Sequence, residues 1–215
     1  MFPRDHIYSA EELVKLWISQ GYVQTNGLKN AEKIGFEYAK QLWQRSFFQG
    51  EYERNEYIEK EFYYFSLHDM VHDLARFNSG RVCYSIEGNM VPKFPEELYH
   101  LYVNRWIKFP PPSKFATLRS FIVKDIIVKD NAVASLGAFN FSEAQNLRAL
   151  QLCRLVNLES HFLFAKLKHL RYLSINMGYL VRLSECICYL YNLQYLTLNC
   201  CPPNQRVTRM YRKSC

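Results

Sequence analysis

The chain has 215 residues, of which 49% are hydrophobic and 22% charged. That balance excludes a disordered polymer and supplies enough length for one large or two small cores. The net charge of +7 raises nucleic acid as a partner, but the cations are scattered outside the tail residues Arg206, Arg209, Arg212 and Lys213, so no basic stripe supports it. No run approaches the about 18 apolar residues of a membrane span. The start, Met1 to Asp5, lacks an apolar signal region. Seven cysteines, an odd count, read as free thiols of a reducing compartment, which gives a cytoplasmic expectation. Cys186, Cys188, Cys200 and Cys201 are too closely spaced for a zinc knuckle.

In chain order, Ser9 with Glu12 three residues later forms a capping box. Ala10, Leu13, Val14 and Trp17 follow at helical spacing, and Gly21 ends this helix. Thr25, Asn26 and Gly27 carry turn chemistry. Asn30 is expected to cap a second helix over residues 31–48, with Ala31, Ile34, Tyr38 and Leu42 on its apolar face. Residues 51–60 are strongly charged and read as a solvated, hairpin-like loop. Phe62 to Leu67 is aromatic and suits a strand. Two helices and a strand wing in under 80 residues suit a winged helix.

His and Asp then recur at fixed spacing in His68, Asp69, His72 and Asp73. Ser66 with Asp69 fits a helix start, with Ser66 as N-cap. Val71, Leu74 and Ala75 are expected to form one buried face. His68 falls in the first turn, where unpaired backbone N–H groups and the helix dipole favour an anion. The pair also resembles the zinc pattern His-Glu-x-x-His with Asp for Glu, but His6, His100, His161 and His169 offer no third ligand at a set spacing. The plain alternative is that His68 and Asp69 are ordinary polar residues of a capping turn.

Residues 79–116 read as an irregular linker, broken by Pro92, Pro95 and Pro110 to Pro112, with a possible strand at His100 to Val103. From residue 117 a repeat emerges. Leu147, Leu150 and Leu152 recur as Leu170, Leu173 and Ile175, and again as Leu193, Leu196 and Leu198. The period is 23 residues twice, and Leu118, Phe121 and Val123 form an earlier copy. This is leucine-rich-repeat spacing. The template's Asn/Cys ladder position falls on Leu155, Gly178 and Cys201, so only one copy keeps it. The last repeat runs into Pro202, Pro203 and a basic tail, 202–215, with no visible polar cap.

These features together resemble plant nucleotide-binding leucine-rich-repeat disease-resistance proteins of the coiled-coil class. The resemblance rests on Phe2 to Asp5, on Glu12 to Val23, on Leu67 to Ala75, where Leu67-His68-Asp69 stands for the family's Met-His-Asp, and on the repeats. It implies an α+β winged helix (1–78), the linker (79–116) and an α/β leucine-rich-repeat solenoid (117–201), truncated at its end. The resemblance also implies a non-enzymatic switch and recognition module of plant immunity. His68 and Asp69 would contact the phosphate of ADP held by a nucleotide-binding domain.

The phosphate loop Gly-x-x-x-x-Gly-Lys-Ser/Thr is absent. A fragment without cofactor of its own is therefore expected, with ADP or ATP held only by the intact receptor. The repeats would bind a pathogen effector or a guarded host protein through outward strand residues Gln151, Ser174 and Thr197, then Cys153, Asn176 and Asn199. The alternative is a nucleic-acid-binding winged helix. Its candidate helix balances Lys33, Lys40 and Arg45 against Glu32 and Glu37, a poor charge for phosphate.

Overall fold

The computed structural model describes residues 2–24, 28–55, 60–86, 94–95, 97–106, 115–126, 141–155, 166–177, 185–200 and 207–211. They form two compact units, Phe2–Gly80 and Arg81–Cys215.

The first unit runs β1 (Tyr8–Ser9), α1 (Ala10–Gln20), α2 (Leu28–Gln44), β2 (Phe48–Asn55), β3 (Lys60–Leu67) and α3 (Asp69–Ser79). The strands form an antiparallel sheet in the order β1-β3-β2. In α1 the helical spacing of Ala10, Leu13 and Val14 buries all three. Ser9 is the N-cap, but its side chain makes no capping hydrogen bond. Gly21 ends the helix at φ 83°, a left-handed conformation that costs glycine little. The Tyr8, Phe65 and Phe48 rings stack across the sheet, with centroids 5.8 and 4.2 Å apart. Gly50 sits opposite Phe65, and a Cβ there would strike the Tyr64 carbonyl oxygen and come within 2.6 Å of Phe65 Cα.

Several expectations shift here. Helix α2 starts at Leu28 and stops at Gln44, so Asn30 lies inside it and Phe48 already belongs to β2. Tyr38, expected on the apolar face, is exposed. The charged stretch is half ladder: Glu51 to Asn55 pair with Tyr64 to Lys60. A strand's backbone bonds are independent of side-chain charge, so the run Glu51 to Arg54 gave no sign of pairing.

The second unit is one seven-stranded sheet: β4 (Cys83–Ile86), β5 (His100–Trp106), β6 (Ser120–Ile126), β7 (Ala149–Leu155), β8 (Tyr172–Met177), β9 (Tyr195–Cys200) and β10 (Val207–Tyr211). β4 to β9 are parallel and lie side by side in chain order. The 3-10 turns Phe141–Glu143 and Glu185–Tyr189 stand between strands. Residues 79–116, expected as a linker, contribute β4 and β5, so the sheet begins earlier than the leucine repeat. Of the tail, Val207–Tyr211 pairs antiparallel with β9 through five residue pairs and covers that edge. Parallel and antiparallel ladders use the same backbone groups, so a short basic segment can close a sheet without any leucine signal.

One face of this sheet builds the core. Tyr84, Leu101, Phe121, Leu150, Leu173 and Leu196 form one row across the strands, and Ile86, Val103, Val123, Leu152, Ile175 and Leu198 the next. Leu98, Leu118, Leu147 and Leu170 continue the core into the turns. Truncating one such leucine to alanine costs about 2–5 kcal/mol, because the close-packed neighbours cannot collapse into the space.

Polar side chains link successive turns. Thr117 Oγ1 donates to Leu98 O at 2.9 Å, Asn146 Nδ2 to Ala116 O at 2.8 Å and Asn192 Nδ2 to Lys168 O at 2.6 Å. Each ties one turn to the turn before it. Of the expected ladder positions, Gly178 and Cys201 lie outside the described residues, as does the side chain of Leu155.

Candidate functional site: a helix cap and a strand face

Strand β3 delivers the chain to His68, whose amide donates to Phe47 O at 3.1 Å. His68, rather than Ser66, is the N-cap of α3, and Ser66 stays in β3. The His68 ring Nδ1 accepts from Met70 N at 3.3 Å. An Nδ1 that accepts is unprotonated, so in the neutral ring the proton sits on Nε2. The half-buried imidazole therefore presents an Nε2–H donor at a helix N-terminus, where the dipole already favours negative charge. One such donor fits a single phosphate oxygen.

His72, one turn on, is buried, and its Nε2 lies 3.1 Å from Phe2 O. That geometry makes Nε2 a donor to a carbonyl rather than a lone pair for a metal. Among the described residues no group of three His, Cys, Asp or Glu side chains is placed to hold an ion.

Asp69 and Asp73 meet Arg4, a residue that spacing along the chain did not single out as a partner. Arg4 Nη2 donates to both Asp73 carboxylate oxygens at 2.6 Å, and Arg4 Nε lies 3.8 Å from Asp69. The guanidinium hydrogen bond, then that of His72, holds the Asp73 carboxyl below its usual range. Arg4 is raised by the same contact. The N-terminal segment is thus tied to α3 by two ion pairs of Arg4 and one buried imidazole. Its rings add to this: Phe2 stacks on His6 at 4.5 Å and meets Tyr8 edge-on at 5.1 Å.

The expected buried face of α3 is absent. Val71 is half-buried, and Leu74 and Ala75 are exposed. Met70 and Phe77 are also open, at 77% and 83%. Helical spacing reveals that a helix has an apolar face, not that a neighbour covers it.

In the second unit the expected partner residues do share a row. Gln151, Ser174 and Thr197 are register neighbours on the face opposite the core, in line with Tyr102 and Ile122. Asn176 pairs with Asn199, whose side chain lies outside the described residues. Solvation differs from expectation. Ser174 is 6% exposed, Tyr102 0%, while Gln151, Cys153, Asn176 and Thr197 are half-buried. A serine is too short to reach water between the larger residues around it, with Tyr172 two positions before it on the same face. Ser174 is therefore not a free contact residue. Cys83 and Cys188 are free thiols.

His100 stands in the adjoining row, between Cys83 and Ser120. Its Nδ1 lies 2.7 Å from Ser120 Oγ. Burial lowers its pKa to about 4, and the positive charges of Arg119 and Arg148 push the same way. A serine beside an imidazole is the start of a nucleophilic pair. Here Ser120 is buried, beyond a substrate's reach, so the pair braces the sheet.

Residues 1–75 match a family model described as the disease resistance protein winged-helix domain. Among curated proteins, the disease resistance protein At3g14460 of Arabidopsis thaliana is 29% identical over 94% of this chain. A disease resistance RPP13-like protein 1 of the same plant is 29% identical over 91%. Disease resistance protein RGA2 of Solanum bulbocastanum is 39% identical over 75 residues, 35% of this chain. The chain spans 14%, 19% and 7% of these relatives' lengths. No described helix is long and apolar enough to cross a membrane. Over most of its length the chain is thus similar to plant disease resistance proteins, and its N-terminal end matches their winged-helix domain.

Proposed function

We propose that the chain is a non-enzymatic switch and recognition module of a cytoplasmic immune receptor, in which His68 latches the winged helix onto the phosphate of bound ADP. The observation that carries this is the cap geometry. Nδ1 is engaged by Met70 N, which leaves the Nε2–H of the neutral ring as a donor for an anion near the α3 N-terminus. Asp69 acts indirectly: with Arg4 and Asp73 it fixes how the N-terminal segment docks on α3. The phosphate loop and magnesium ligands belong to a nucleotide-binding domain of the intact receptor, which supplies the other half of the site.

In this reading the parallel sheet is the strand face of a leucine-rich-repeat solenoid. The 23-residue period of the leucines and their alignment in register support it. Gln151, Thr197, Cys153 and Asn176 are the residues of this face open enough to touch a pathogen or host protein. The nucleic-acid alternative draws no support from α2, where Lys33 and Lys40 are matched by Glu32 and Glu37.

The test replaces the winged-helix domain of full-length RGA2 with residues 1–80 and expresses it in leaf tissue. The exchanged receptor is expected to stay silent, and His68→Ala within it to cause cell death without a pathogen and to copurify with less ADP. Silence of His68→Ala at normal protein level, with ADP retained, refutes the latch.

A further inference from the structure

We infer that the cavity between α1 and α2 is a binding site for a neutral, flat aromatic molecule that carries a hydroxyl or carbonyl group. The cavity encloses about 740 Å³, and its described lining comes from the first unit. Sites that take small molecules run from about 300 to about 1,000 Å³. Lys33, Phe36, Glu37, Lys40 and Trp43 recur three and four positions apart, so one face of α2 forms one side. The start of α1 and Phe65 of β3 form the other.

The walls are rings. Phe36 is exposed, Trp43 half-buried and Phe65 buried. The stacked rings of Tyr8 and Phe48 hold Phe65 in place, so that wall is formed before any ligand arrives. Ala10 and Ala39 are buried and line the same space, and their single methyl groups leave it open. Rings of this kind pair best with another ring, offset or edge-on.

The charges nearby cancel. Lys33 and Lys40 are matched by Glu32 and Glu37 on α2, and Lys15 Nζ donates to Glu11 at 2.6 Å. An ion entering from water would lose its hydration without gaining a counter-charge, so the ligand is neutral. Ser9 supplies a polar contact. It is the N-cap of α1, a position where a serine hydroxyl commonly accepts a helix N–H. Its side chain makes no such bond, and the residue lines the cavity. A hydroxyl both donates and accepts, which suits a hydroxyl or carbonyl on the ligand.

The experiment is equilibrium dialysis of the whole chain against β-naphthol, naphthalene and β-naphthoate. These share one ring system: neutral with a hydroxyl, neutral without one, and anionic. β-Naphthol is expected to bind at least about threefold more tightly than β-naphthoate. Ser9→Ala is expected to weaken β-naphthol about threefold to tenfold and to leave naphthalene within about twofold. Phe36→Ala, at an exposed position that tolerates truncation, is expected to weaken both neutral probes about threefold or more. Phe77→Ala removes another exposed ring, on α3 and outside the cavity lining, and is expected to change nothing. Far-UV circular dichroism checks that each variant is folded.

Equal losses in Phe36→Ala and Phe77→Ala would mean that the probes adhere to any exposed ring, and would overturn the inference. So would unchanged β-naphthol binding in Ser9→Ala, or β-naphthoate binding as tightly as β-naphthol. Failure of all three probes refutes it as well. A leucine-rich helical peptide binding in their place would make the cavity a groove for protein instead.

Discussion

Lowering the pH should destabilise the second unit through His100. Its imidazole is buried against Ser120, and its pKa falls from 6.5 to about 4. The sign follows from linkage. Above pH 6.5 the ring is neutral in both folded and unfolded chains, and its contribution to stability is fully present. Between 6.5 and about 4 the unfolded chain takes up a proton that the folded chain refuses, so stability falls with pH. Below about 4 both states are protonated and the loss levels off. The gap of about 2.5 pH units, at about 1.4 kcal/mol each, comes to about 3.5 kcal/mol in full, of which about 3 falls between pH 7 and 4. That is a large share of the 5–15 kcal/mol that roughly bounds a domain.

Urea unfolding of the whole chain at intervals from pH 8 to pH 4, followed by circular dichroism, measures it. Other carboxylates also titrate near the bottom of this range, so the informative quantity is the difference between the native chain and His100→Gln. The glutamine keeps a hydrogen-bonding group beside Ser120 but cannot charge. The native chain should lose about 3 kcal/mol more than the variant between pH 7 and 4. Parallel curves for the two proteins would show that His100 is not the group that resists protonation.

Two further outcomes test the first unit. Gly50→Val should destabilise the β2–β3 pairing strongly, because its Cβ meets the backbone of Tyr64 and Phe65 rather than a side chain that can swing away; thermal unfolding should show a lower midpoint, and an unchanged midpoint would mean that the strands separate easily there. Arg4→Gln should let the Asp73 carboxyl rise toward its ordinary range, since the guanidinium hydrogen bond is the main influence holding it down; a carbon-detected NMR titration of Asp73 reads this directly, and an unmoved midpoint would remove Arg4 from the latch.

Much of the architecture was legible in residue spacing. Helical periodicity found α1 and its glycine stop, because burial on one helix face needs apolar residues about every 3.6 positions. The 23-residue leucine period found the rows that now align from Leu150 to Leu196, because a repeated strand must present its core residues at the same place each time. The polar cap was legible as chemistry but was placed at Ser66, with His68 in the first turn, instead of at His68 itself. Boundaries depend on which backbone group finds a partner, and sequence does not list those.

Sequence alone therefore determined the two kinds of module, the leucine core and the presence of a histidine near a helix start. Only the tertiary structure decided who meets whom across long stretches of chain. Arg4 reaches Asp73 and His72 reaches Phe2, about 70 positions away. Val207–Tyr211 closes the edge of β9. Ser174 is buried although its place between leucines reads as outward. Each of these rests on a partner brought near by the folded backbone. Local periodicity reports which side of an element is apolar, while contact between distant elements is set by loop closure and the packing of the whole sheet.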